Sequence, residues 1–166
     1  RRMGPRAVYG QHMYTRIQQG QTDWILLSAD LGRSSGLDRV RKEFPEYYLS
    51  CGIAEQNMVG VSAGLAREGF KVFASSFAPF LAMRASEQVR MNAGYMGEPI
   101  NLVALGSGLA MGFLGNSHFG LEDIAVMRTI PGMRIVCPAD AGSVPKAIDA
   151  CADAPFPTYL RLTGTP

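Results

Sequence analysis

The richest chemistry in this chain lies in Gly52-Ile53-Ala54-Glu55-Gln56-Asn57, where a short apolar run ends in a glycine turn and a glutamate opens the next helical segment. A carboxylate in the first turn of a helix has two roles open to it. It complements the positive end of the helix dipole, or it exchanges a proton with a bound group. The segment behind it, Met58 to Ala66, is almost free of charge and is expected to be buried nearly all round. The glutamate leading such a helix is then expected to lose its water, which favours a carboxyl that holds or exchanges a proton. Gly60 and Gly64, four apart, leave room for another helix or subunit to come close.

Other groups invite the same double reading. His118 lies in the glycine-rich run Gly115 to Gly120, just past an expected strand, and is either a satisfied structural histidine or a proton-transfer group. Phe77 and Phe80, three apart, have ordinary core spacing, and they also offer faces to a flat heterocycle. Asp30 closes the first expected strand, as a turn residue or as a site residue. The glycines of Gly106 to Gly112 are spaced GxGxxxG with no helix start behind them, which excludes a dinucleotide fingerprint. Cys51, Cys137 and Cys151 form no CxxC pair and leave one unpaired under any bridging scheme, which suits a reducing, cytoplasmic setting.

The elements that must position these groups follow from periodicity. Helical spacing is expected over Val8 to Ile17, Leu37 to Phe44, Ala54 to Glu68, Phe77 to Asn92, Leu121 to Arg128 and Ala141 to Ala152. Strands are expected at Trp24 to Ser28, Tyr47 to Ser50, Lys71 to Ala74, Asn101 to Leu105, Arg134 to Val136 and Thr158 to Leu162. Six short apolar strands alternating with helices predict an α/β fold, a mostly parallel six-stranded sheet with helices on both faces. Ligands of such sheets bind beyond the carboxyl ends of the strands, so Asp30 to Gly36, Cys51 to Glu55, Ser75 to Phe77 and Gly106 to His118 are the segments to watch.

The 166 residues, 47% hydrophobic and 18% charged, suit one globular domain with no internal boundary. Sixteen basic and fourteen acidic residues are interspersed, so the charge pattern offers no footprint for nucleic acid or a membrane surface. The most apolar stretch, Ile100 to Gly115, is interrupted by Asn101 and Ser107 and is too short and glycine-rich to span a bilayer. The basic start Arg1-Arg2-Met3-Gly4-Pro5 leads into Tyr9, Gln11 and His12 with no signal-peptide core behind it. It carries no initiator methionine, as in a processed or excised piece.

The glutamate segment resembles the signature of the transketolase-like thiamine-diphosphate enzymes. That resemblance runs from about Arg6 to Arg161. It implies that Glu55 hydrogen-bonds N1′ of the cofactor's aminopyrimidine and promotes the imino tautomer whose 4′-nitrogen deprotonates the thiazolium. Ser75 to Arg84 resembles the segment whose aromatic residues wall the pyrimidine pocket; Phe77 and Phe80 match, and a third aromatic of many transketolases falls at Met83. Gly115 to Ala125 with Pro131-Gly132-Met133 resembles the loop carrying an active-site histidine, which assigns His118 to the substrate side as a second catalytic residue. Asp30 and Leu31 match a pair near the thiazolium, and Arg6 and Ser34 fall where such enzymes hold the substrate phosphate. Gly106 and Leu114 stand where many transketolases carry a histidine and an aspartate that grip the sugar.

In the same family magnesium and the diphosphate are held by a Gly-Asp-Gly motif on a separate domain, across a subunit interface. No Gly-Asp-Gly occurs in this chain, so no metal ligand is assigned to it. The resemblance therefore implies a single pyrimidine-binding domain over 1–166, with Leu162 to Pro166 as a linker and the diphosphate-binding and C-terminal domains absent. It implies a diphosphate-binding partner, and a homo- or hetero-oligomer through the Gly60/Gly64 helix. The function implied is two-carbon ketol transfer between sugars. A deoxyxylulose-phosphate synthase, a 2-oxoacid dehydrogenase beta component and a noncatalytic regulatory domain of the same fold are the alternatives.

Overall fold

Alternate residues along the central strands face opposite sides of one sheet, and both sides are apolar. In the computed structural model, which describes residues 3–163, the strands are β1 Trp24–Ser28, β2 Tyr48–Ser50, β3 Lys71–Phe77, β4 Asn101–Ser107, β5 Arg134–Val136 and β6 Thr158–Thr163. They lie in the order β2-β1-β3-β4-β6-β5 and every pairing is parallel. The last three residues of the expected linker, 164–166, fall outside the described residues, as do Arg1 and Arg2.

The helices are α1 Pro5–Gln18, α2 Asp38–Glu43, α3 Glu55–Arg67, α4 Ser86–Val89, α5 Asp123–Met127 and α6 Val144–Ala152. One side of the sheet presents Leu27, Val72, Ala74, Leu102 and Tyr159 to a layer that includes Met58 and Val59 of α3 and Leu81 and Val89. The other presents Leu26, Phe73, Val103 and Leu160 to Tyr9, Met13 and Ile17 of α1 and to Val144 and Ile148 of α6. A sheet buried on both faces matches continuous apolar strands, because each face meets helices rather than water. Among the described residues no helix is long and apolar enough to cross a membrane.

Three local features depart from the expectations. β3 runs three residues farther than expected, to Phe77, because Ser75 and Ser76 are buried in it with their hydroxyls satisfied: Ser75 shares a 2.8 Å hydrogen bond with the Tyr9 hydroxyl, and Ser76 donates to Glu55. The helix after β3 is not regular. Phe80–Arg84 and Arg90–Tyr95 are π turns on either side of α4, as in the bond from Ala85 N–H to the Phe80 carbonyl five residues back. Finally, α3 is not buried all round. Met58, Val59, Ser62, Ala63 and Ala66 face the sheet, whereas Gln56, Asn57, Gly60 and Gly64 are exposed, and a Cβ at either glycine would meet nothing within 4 Å.

Candidate active site

Because the strands are all parallel, their carboxyl ends share one edge of the sheet, and the segments that leave them meet there. β2 leads through Gly52, at φ +70, into α3, whose first residue is Glu55. Glu55 is 2% exposed. Its Oε1 accepts a 3.0 Å hydrogen bond from the Ser76 hydroxyl at the end of β3, and its Oε2 accepts a 2.8 Å bond from Arg84 Nη1. The carboxylate is thus desolvated, as expected, and compensated by a neutral donor on one side and a guanidinium on the other.

Beside this pair stand three rings. Phe77 and Phe80 meet edge to face with centroids 6.1 Å apart, and the His118 ring lies 5.6 Å from Phe77 and 5.2 Å from Phe80. Arg84 joins the rings to the carboxylate, since its Cζ lies 4.2 Å from the Phe80 centroid. His118 ends a short 3-10 turn, Asn116–His118, and its Nδ1 shares a 3.0 Å hydrogen bond with the Ser117 hydroxyl. The segment carrying it is closed at its base by paired backbone bonds between Gly108 and Gly120, each 2.9 Å. Met83, where the sequence leads us to expect no aromatic wall, is exposed and lines a cleft of about 280 Å³ with Phe80, Arg84, Ser117, Phe119 and Glu122.

The remaining expected residues make no hydrogen bond or ring contact with this cluster among the described residues. Asp30 is exposed at φ +56, a backbone conformation that aspartate tolerates better than most residues. It lines a separate polar cleft of about 620 Å³ with Arg33, Asp38, Arg41, Lys42 and Tyr48. Leu31 is half-buried in the same apolar layer as Phe77 and Phe80, and its N–H donates to Ser28 Oγ. Arg6 is exposed on α1, and Ser34 is half-buried in the loop after β1. The two segments touch where the Arg6 carbonyl approaches Gly36. Gly106 takes φ +62, and a Cβ there would fall 2.6 Å from Met111 Cγ. Leu114 is exposed. Among the described residues no group of three histidines, cysteines, aspartates or glutamates could hold a metal ion.

Ser76 and Arg84 are the members of the cluster to which the sequence pattern assigned no role. Arg84 stands four residues after Phe80, a spacing that joins side chains along one helix flank. Ser76 lay in a segment expected to border a site, but a serine expected in a loop gave no sign that it would be buried at the end of β3 against Glu55. Chemically, a buried carboxylate beside aromatic faces can accept hydrogen bonds from a flat nitrogen heterocycle and hold a proton there, with the imidazole of His118 edge-on to both phenylalanine rings.

Residues 6–164 match the family model described as transketolase, pyrimidine binding domain. The chain is 41% identical over 140 residues to a subunit of the apulose-4-phosphate transketolase of Phocaeicola vulgatus, covering 84% of this chain and 45% of that protein. It is 40% identical over 161 residues to a putative transketolase C-terminal section of Methanocaldococcus jannaschii, covering 96% of this chain and 50% of that one. A solved split-gene transketolase, described as an inactive beta4 tetramer, superposes with a TM-score of 0.84 at 36% identity over 99% of this chain and 53% of its own. The chain spans about half the length of these relatives.

Proposed function

Given that this chain belongs to the transketolase pyrimidine-binding domain family, we propose that it forms one wall of a thiamine-diphosphate site and serves two-carbon ketol transfer between sugars together with a diphosphate-binding partner. The observation carrying this reading is the Glu55 carboxylate, buried and hydrogen-bonded, flanked by Ser76, Arg84 and the Phe80 ring. The residues present fit the pyrimidine side of the cofactor: an acceptor for a ring nitrogen and aromatic faces for a flat ring. Magnesium and the diphosphate call for oxygen ligands that we assign to the partner, outside residues 1–166.

When bound, thiamine diphosphate supplies the electron sink for cleaving the bond next to the sugar carbonyl. In this reading Glu55 holds a proton at pyrimidine N1′, and its burial keeps bulk water from competing for that proton. Phe77 and Phe80 fix the ring plane. His118 faces the substrate as a donor or proton relay. Asp30 and Leu31 border the thiazolium side, and Arg6 and Ser34 take an anionic group on the substrate. The exposed Gly60/Gly64 flank of α3 is the surface we assign to a second subunit, whether another copy or the partner. The three free cysteines fit a cytoplasmic setting. The names of the relatives favour ketol transfer over the deoxyxylulose-phosphate synthase and 2-oxoacid dehydrogenase readings, which would use the same glutamate.

The test is exchange of the thiamine C2 proton in the chain mixed with its diphosphate-binding partner, magnesium and cofactor. Glu55→Gln should slow exchange by about 100-fold or more, the span of a general acid–base contribution. Exchange at the parental rate would overturn the reading.

A further inference from the structure

Arg84 performs, within this chain, the two contacts that a flat hydrogen-bonding ring would make at the same place. Its Nη1 donates to Glu55 Oε2 at 2.8 Å while its planar cation lies over the Phe80 ring, 4.2 Å from the centroid. The other oxygen of Glu55 is engaged by Ser76. A guanidinium and a pyrimidine therefore compete for one carboxylate oxygen and one aromatic face.

Arg84 is also free to leave. Its side chain is 44% exposed, against 2% for Glu55, and it sits on a π turn at the rim of the 280 Å³ cleft. The same cleft is lined by Glu122, exposed and in no ion pair among the described residues. A long flexible cation paired with one anion, and sharing its cleft with a second, can be offered two seats.

Resting on the pyrimidine-wall reading above, we infer that Arg84 is a latch that holds the pyrimidine seat closed and is released toward Glu122 when the ring enters. The closed seat lowers the apparent affinity for the ring by the fraction of molecules in which it is open. It also keeps a buried carboxylate paired in the cofactor-free chain.

The test titrates the full chain with 4-amino-2-methylpyrimidine, followed by NMR at the Glu55 and Phe80 amides and at the Arg84 guanidinium. In the parent, the guanidinium signals should shift as the ring binds. Arg84→Met should bind the ring about tenfold more tightly, and Glu122→Gln about threefold more weakly, because one loses the closed seat and the other the open one. If Arg84→Met does not fold, Arg84→Gln removes the same charge and should act in the same direction. Equal or weaker binding by the Arg84 variants, with Glu55→Gln abolishing binding, would overturn the latch and leave the pyrimidine wall standing. Binding by neither parent nor variants would overturn both.

Discussion

Arg161 reaches from β6 to Asp123, its Nε donating at 2.8 Å to the Oδ2 of a carboxylate that is only 1% exposed. The same guanidinium donates from Nη2 to the Gly120 carbonyl, and the Tyr159 hydroxyl donates to Asp123 at 3.1 Å. The segment that carries His118 is thereby fastened to the last strand at its C-terminal base, next to the Gly108–Gly120 backbone pair.

Asp123→Asn should destabilise the fold by about 3 kcal/mol, because it leaves a guanidinium that is mostly out of water without its anion. Urea denaturation reads the loss. Limited proteolysis should show faster cleavage between residues 109 and 119 than in the parent.

Ser76→Ala removes the donor from Glu55 Oε1 without touching Arg84. The unpaired oxygen should cost about 1–2 kcal/mol of stability. In the reconstituted complex, C2-proton exchange should fall by less than with Glu55→Gln, since the proton-holding group is still present.

Gly106→Ala should destabilise by about 1–2 kcal/mol, combining the left-handed backbone with the encounter at Met111. Gly106→His should cost more. A histidine side chain there would distort the end of β4, and denaturant midpoints of the two variants should rank accordingly.

Burial alone would push the Asp149 carboxyl up, but hydrogen bonds from Arg16 and His12 outweigh it and hold it below the ordinary aspartate range. A carboxyl depressed only in the folded state binds more protons when unfolded. Its contribution is complete at neutral pH and lost as pH falls through the folded-state value. Thermal melts should therefore fall more steeply below about pH 4 in the parent than in Asp149→Asn, which starts lower and flattens.

The alternation of helix and strand was legible because each strand is a short apolar run, and β1 and β5 match their expected limits. Glu55 was legible as a buried helix-opening carboxylate, since the chain around it carries so little charge. Its partners were harder to see. Ser75 and Ser76 look like loop residues until Tyr9 and Glu55 satisfy them across the fold. The open flank of α3 was misread because a lack of charge was taken for burial, whereas Gln56, Asn57, Gly60 and Gly64 are uncharged and yet exposed. The π turns leave no trace in a search for 3.6-residue spacing, which treats the run after β3 as one regular helix.

Those wide turns set how the chain tolerates changes in length. A π turn amounts to an α-helix with one residue inserted. Deleting any single residue between 81 and 83 would let Phe80–Arg84 close as ordinary helix and turn everything beyond it by about 100°. Arg84 would then point away from Glu55 although the arginine itself is unchanged. In this stretch the number of residues is itself under constraint, and a one-codon loss would do more harm than most substitutions.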